Sequence, residues 1–447
     1  MIRRSPIAGA VVVLGAASLV LAACGGSSSS GESSSAAPAS SSAPAPSSSS
    51  PEPAPSSDCK NTQLKVGTML PATGSLAYLG PPEFAGVDMA VAEIDAAGGV
   101  LGQPVVNEYG DSGDTTTDIA SQTVDSHLAK GVQVIIGAAS SGVTFTVIDK
   151  ITSNGVLQIS PANTAPSLTD YPDNGLYFRT APSDSLQGAV QAANAIDNGF
   201  TKGATIARQD PYGEGLQNAF IADFEAAGGT ITASLTYDPE APSFEAEVAE
   251  IAASNPEFVQ VVGFEESTKL IQEMIKQGVG PQDVQIYLAD GNLSTTAFKD
   301  FPKDTMTGVI GTVPTGDPSV DLEAFNARLL EQDPALTDFA YGAQAYDATI
   351  LVAIAAEYAG CADGTAIAAA MPMIANADGG GEACNTYADC VAIIQGGGQP
   401  NYEGVTGPLD FNEYGDPKAA TIDVVQYITN TKFESIEVVG PVEVPTP

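Results

Sequence analysis

The sequence predicts an α/β protein built from two doubly wound, parallel-sheet lobes. First, short apolar runs alternate with amphipathic stretches, in two successive series of similar size. Second, the apolar runs are near-continuous, as in parallel strands covered on both faces. Third, small polar turns, Ala139-Ser140-Ser141-Gly142 and Pro161-Ala162-Asn163-Thr164, close two adjoining strands. Ligands of open α/β sheets collect at such strand ends.

The first series opens with a strand over 64–70 and a loop over 71–82. Phe84, Val87, Val91 and Ile94 then mark one helical face, which stops at Gly98-Gly99. A strand over 105–109 ends in Gly110-Asp111. Asp114 stands where it can cap the next helix, which runs to Lys130 before Gly131. Strands over 132–136 and 156–159 flank a helix with Val143, Val147, Ile148 and Ile151 on one face. The turn at 139–142 therefore opens a helix, and its free N–H groups and hydroxyls suit an anion.

The second series begins near Thr180. It reads as a strand over 204–207, a loop over 208–213, and a helix carrying Leu216, Phe220 and Phe224. A strand over 231–237, a helix over 244–253, a strand over 258–262 and a helix over 267–277 follow. Strands over 286–289 and 309–313, a long apolar helix over 339–358 and a last strand over 422–428 complete the pattern.

A chain of 447 residues can bury two cores of ordinary size. Its formal charge of −38, from 54 acidic and 16 basic side chains, repels phosphate backbones and excludes nucleic acid as a partner. At the N-terminus, Met1-Ile2-Arg3-Arg4 is positive and Ile7 to Val20 is apolar. Leu21-Ala22-Ala23-Cys24 follows and resembles the bacterial lipobox. That resemblance implies a signal peptide over 1–23 and lipid on Cys24, which anchors the protein to the outer face of the cell membrane. Residues 25–58 are Gly, Ser, Ala, Pro and acidic residues only, so 24–58 reads as an anchor and disordered tether.

Of five cysteines, Cys24 is assigned to lipid. Cys59, Cys361, Cys384 and Cys390 remain, an even number in an exported chain. Cys384 and Cys390 bracket a short loop and are the first choice of pair, which leaves Cys59 with Cys361. Zinc is a poor alternative without a CxxC spacing, and neither metal nor cofactor is expected.

Several stretches, taken in order, resemble the type I periplasmic binding proteins of the branched-chain amino-acid group, the solute receptors of ABC importers. They are Glu83-Phe84-Ala85-Gly86, Ile135-Ile136-Gly137 with Ser140-Ser141, and Ile159-Ser160-Pro161-Ala162-Asn163-Thr164. Phe178-Arg179-Thr180, Tyr212-Gly213-Glu214-Gly215 and Gly404-Val405-Thr406-Gly407-Pro408-Leu409-Asp410-Phe411 continue the set. The resemblance implies a monomer that closes on an amino acid and hands it to ABC permease subunits. It implies lobe I over 59–181 and 313–408, and lobe II over 182–312 and 409–447, with hinges near 181, 312 and 408. It also implies ligand-binding residues. Ser140 or Ser141, Asn163 and Thr164 would meet the carboxylate, Tyr78 and Tyr212 would cover the ligand, and an acidic side chain of the second lobe would meet the ammonium. Phe264, after Gly263 at a strand end, reads as a further cover, and Asp290, which ends a strand before Gly291, as that acid. Asn163 stands where a smaller residue is expected, which leaves the ligand's identity open among branched-chain amino acids, amides, urea and small organic acids. Glu265 and Glu266 are rivals for the ammonium but read as ordinary first-turn acids.

An exported hydrolase is the competing class. Gly137 to Gly142 misses the G-x-S-x-G spacing by one residue. His127, the single histidine, has Asp125 on a different helical face and reads as a surface residue rather than a base. The reading is therefore not an enzyme. A ligand sensor without transport would share the same site and tether.

Overall fold

The computed structural model describes residues 59–446; the signal, Cys24 and tether read at 1–58 lie outside the described residues. Elements alternate from the start: β1 (Lys65–Met69), α1 (Gly80–Ala96), β2 (Val106–Glu108), α2 (Ile119–Lys130), β3 (Val134–Gly137), α3 (Ser141–Thr152), β4 (Leu157–Ser160) and β5 (Tyr177–Arg179). The five strands form one parallel sheet in the order β2-β1-β3-β4-β5. Every residue of β3 and β4 is buried, which accounts for their continuous apolar character.

The chain then enters a second lobe through α4 (Asp184–Asp197). There follow β6 (Lys202–Arg208), α5 (Pro211–Ala226), β7 (Thr230–Tyr237), α6 (Glu245–Ser254), β8 (Phe258–Val262), α7 (Ser267–Lys276), β9 (Gln285–Leu288) and β10 (Ile310–Thr315). It returns to the first lobe with α8 (Leu322–Gln332), α9 (Gly342–Ala359), α10 (Gly364–Ile374), β11 (Glu382–Cys384), α11 (Tyr387–Gln395), β12 (Pro400–Gly404) and β13 (Gly407–Pro408). A hairpin of β14 (Ala419–Thr429) and β15 (Lys432–Glu443) ends the chain back in the second sheet, ordered β15-β14-β10-β9-β8-β6-β7. β14 runs antiparallel to β10 and to β15, a margin that the strand expected at 422–428 did not include.

The first core lies around α9, whose residues from Gly342 to Ala356 are all buried among α1, α10 and the sheet. A helix apolar all round belongs in such a place. Its start falls at Gly342 rather than 339 because Tyr341 takes a left-handed conformation, φ 60°. The cysteines pair as expected, Cys59 with Cys361 and Cys384 with Cys390. No single helix among the described residues is long and apolar enough to cross a membrane.

Three local expectations are corrected. Asp114 does not cap α2: its Oδ1 accepts the N–H and hydroxyl of Thr116, closing a turn that delays the helix to Ile119. The loop expected over 208–213 is in part α5, because Asp210 caps it through the Gly213 N–H at 2.8 Å and Pro211 suits the first turn. His127 is not on the surface. It is 1% exposed, its ring fills the space against Gly67 and Gly110, and its Nε2–H donates to the Thr68 carbonyl at 2.8 Å. Burial lowers the imidazole below its ordinary value, partly offset by that carbonyl, and the ring is neutral.

Candidate ligand-binding crevice

The carboxyl ends of the two sheets face one another, and the groups they carry form one buried cluster. Leu76, Ala139 and Ala162 come from the first lobe, and Tyr212, Phe264 and Ala289 from the second. Tyr341, at the head of α9, closes the cluster. Tyr212 and Phe264 stack with ring centres 5.3 Å apart. Over the Phe264 ring lies the Arg208 guanidinium, 3.6 Å from the ring centre and paired with Asp210 and Glu266 at 2.6 and 2.9 Å.

Asp290 follows β9 and is 7% exposed. Its Oδ1 accepts from the Tyr212 hydroxyl and from Gln187 Nε2, both at 2.9 Å. Its Oδ2 accepts from the Tyr341 hydroxyl at 2.7 Å. Burial raises this carboxyl above the ordinary range, and the three donors pull it back toward ionisation. A carboxylate has about four lone-pair sites, so one remains for a ligand donor. Tyr78 donates across the crevice to the Gly291 carbonyl at 3.0 Å. Of the rivals, Glu266 is engaged: its Oε1 also accepts from the Phe264 N–H and the Tyr237 hydroxyl. Glu265 lines a separate opening of about 130 Å³ with Tyr78 and Thr268.

At the head of α3, the Ser140 Oγ accepts the Val143 N–H at 3.4 Å, and the Ser141 Oγ accepts the Ala165 N–H at 3.3 Å. Each hydroxyl proton stays available to a ligand oxygen, as do the first N–H groups of the helix. The Thr164 Oγ1 is buried and has no protein partner. Asn163 differs from the expectation. Its Nδ2 donates to the Ala139 carbonyl at 2.8 Å, its Oδ1 accepts from Tyr177 at 3.0 Å, and its N–H is taken by Ser160 at 2.9 Å. It braces the turn with its oxygen and one amide N–H, which leaves a single N–H for a ligand.

Two residues of the crevice were not read from the sequence. Tyr341 sat inside an apolar run taken for helix interior. Asp184, at the first position of α4, follows the cap residue Ser183 and so looks like any first-turn acid. It is 0% exposed, and neither of its oxygens has a partner. Burial, then Asp290, push its carboxyl well above the ordinary range. A cavity of about 300 Å³ opens beside Asp290 and Tyr341, walled by Val313, Phe339 and Phe433.

Two parallel-sheet lobes with complementary polar groups at facing strand ends define a solute receptor, and residues 63–389 match the family model for periplasmic binding proteins. The chain belongs to that family. Within it, this is a type I protein of the branched-chain amino-acid group. The Leu/Ile/Val-binding protein homolog 2 of Brucella abortus is 30% identical over 314 residues, 69% of this chain and 82% of that one. LivJ of Streptococcus pneumoniae, solved with isoleucine, has a TM-score of 0.69 at 23% identity, over 84% of this chain and 99% of that one. A solute-binding protein from R. palustris, solved with benzoate, has a TM-score of 0.67 at 18% identity, over 86% and 98%. Members of the family are extracytoplasmic substrate-binding proteins.

Proposed function

We propose that this protein captures an α-amino acid, branched-chain ones first, between its lobes and delivers it to ABC permease subunits. The observation that carries the reading is the pairing of opposite chemistries across one crevice. Asp290 and Asp184 set two buried carboxyl groups on one side, while the head of α3 with Ser140, Ser141 and Thr164 offers donors. A zwitterion fits that polarity, its ammonium toward the acids and its carboxylate toward the helix N-terminus. Tyr78, Tyr212 and Phe264 would cover its side chain. The division into lobe I (59–181 and 313–408) and lobe II (182–312 and 409–447), closing on hinges near 181, 312 and 408, belongs to this reading. So do lipid on Cys24, the membrane anchor it makes, and the monomeric state.

A receptor for a small organic acid is the second reading, favoured by the benzoate-bound R. palustris protein of the same fold. A thermal-shift screen of the purified folded part against amino acids, amides and small acids separates the two. Leucine, isoleucine or valine should stabilise most, by about 2.7 kcal/mol at a hundredfold excess over Kd. Stabilisation by acids lacking an amine, with none by amino acids, sinks the first reading.

A further inference from the structure

The two buried carboxyls of the crevice have unequal surroundings. Asp290 is held by Tyr212, Tyr341 and Gln187. Neither oxygen of Asp184 has a partner in hydrogen-bond geometry; the nearby Thr164 hydroxyl favours its ionisation but does not offset burial and the charge of Asp290. The charged groups that face Asp184 are Asp290 beyond β9, Arg179 of β5 and Asp210 before α5. The hydroxyls of Tyr212 and Tyr341 face it as well. Neither arginine nearby is free to neutralise it. Arg179 is committed to Asp416 by bonds of 2.6 and 2.8 Å, and Arg208 to Asp210 and Glu266. Two carboxylates in one dry site cannot both ionise without a counter-charge. The three donors on Asp290 assign the negative charge to it and the proton to Asp184.

We propose that ligand capture is proton-linked: an ammonium entering between Asp184 and Asp290 displaces the proton from the Asp184 carboxyl, and one proton passes to solvent per ligand bound. Before capture the pair holds one negative charge and one proton; afterwards two carboxylates share one ammonium. The inference rests on the amino-acid reading for that ammonium and adds to it the role of Asp184 and the exchange of charge. Affinity then rises with pH, about tenfold per unit while Asp184 is protonated in the free protein, and levels off above that. Acidification outside the cell would unload the receptor.

The test is calorimetry of L-leucine binding, or of whichever amino acid gives the largest shift in the screen above. It is run in two buffers of different ionisation enthalpy between about pH 5 and about pH 7, where neither end group of an amino acid titrates. Wild type should release about one proton per ligand at the acid end, and Asp184→Asn none, with a flat affinity profile. No release from wild type, with binding intact, overturns the proposal and leaves the amino-acid reading standing. Equal release from Asp184→Asn overturns it too, since the proton then comes from another group. Where the Asn variant does not bind, infrared spectra of the two unliganded proteins decide. Wild type must show a protonated carboxyl band that Asp184→Asn lacks; without that difference the proposal fails.

Discussion

Asp290 has one lone-pair site to spare, and that makes it a sharp probe of the crevice. An ammonium enclosed between lobes needs a counter-charge, and removing one partner of a buried pair costs roughly 3–5 kcal/mol. Asp290→Asn keeps the shape of the side chain: its oxygen can still accept from Tyr212 and Gln187, and its NH2 can donate to the Tyr341 oxygen. Its affinity for a branched-chain amino acid should fall at least about a hundredfold, at about 1.4 kcal/mol per decade, read by calorimetry. Thr164→Ala removes one donor among several and should cost less, roughly 1–3 kcal/mol. Deaminated analogues should bind wild type poorly and lose little more in the Asn variant, because both changes remove the same interaction. Full affinity in Asp290→Asn would detach the ammonium from this residue. At this scale the sequence was legible where a residue's position follows from a strand–turn–helix, as with Ser140 and Ser141 at the head of α3 and Asp290 after β9. It was silent on Asp184 and Tyr341, whose importance is burial without a partner in one case and a reach across lobes in the other. Both are tertiary facts with no local signal.

Helix α2 carries a measurable consequence of its packing. The short turn made by Asp114 shifts its start, and its inner face then seats His127 against Gly67 and Gly110 under the sheet. The reading of His127 as a surface residue failed because a lone histidine gives no hint of which face of its helix is inward. Burial holds its folded value below the ordinary one, so the unfolded chain takes up a proton first as pH falls. The stabilisation is complete above about pH 6.5 and is lost as pH drops from there to the lowered folded value, at about 1.4 kcal/mol per unit. His127→Gln, which retains a donor for the Thr68 carbonyl, should flatten that part of the profile relative to wild type in urea titrations at stepped pH. Identical slopes would mean that His127 titrates alike in the folded and unfolded chain. Other elements were illegible for a related reason. In β15, Ile436, Val438 and Val442 are exposed on an outer strand, so no inward apolar face marks it, and α8 buries only Phe325 and Leu329.

At the scale of the whole molecule, two tyrosines join the lobes. Tyr341, at the head of the buried helix of the first lobe, donates to Asp290 of the second at 2.7 Å. Tyr78, in the loop after β1, donates to the Gly291 carbonyl at 3.0 Å. On the proposed closure, an open crevice would break both bonds, so they would favour the closed state independently of any ligand. A ligand that touches both lobes adds to the same preference, and the binding-competent fraction sets the apparent affinity. Phenylalanine at both positions keeps the rings and removes only the hydroxyls. Each bond contributes about 0.5–1.5 kcal/mol, so the double variant should bind roughly five- to a hundredfold more weakly. The weakening should come from closure rather than from contact with the ligand. Solution scattering separates the two: the radius of gyration of the double variant should be larger than that of wild type without ligand and should match it at saturation. A double variant that binds weakly yet scatters like wild type at every ligand concentration would make the hydroxyls ligand contacts, not a latch between lobes.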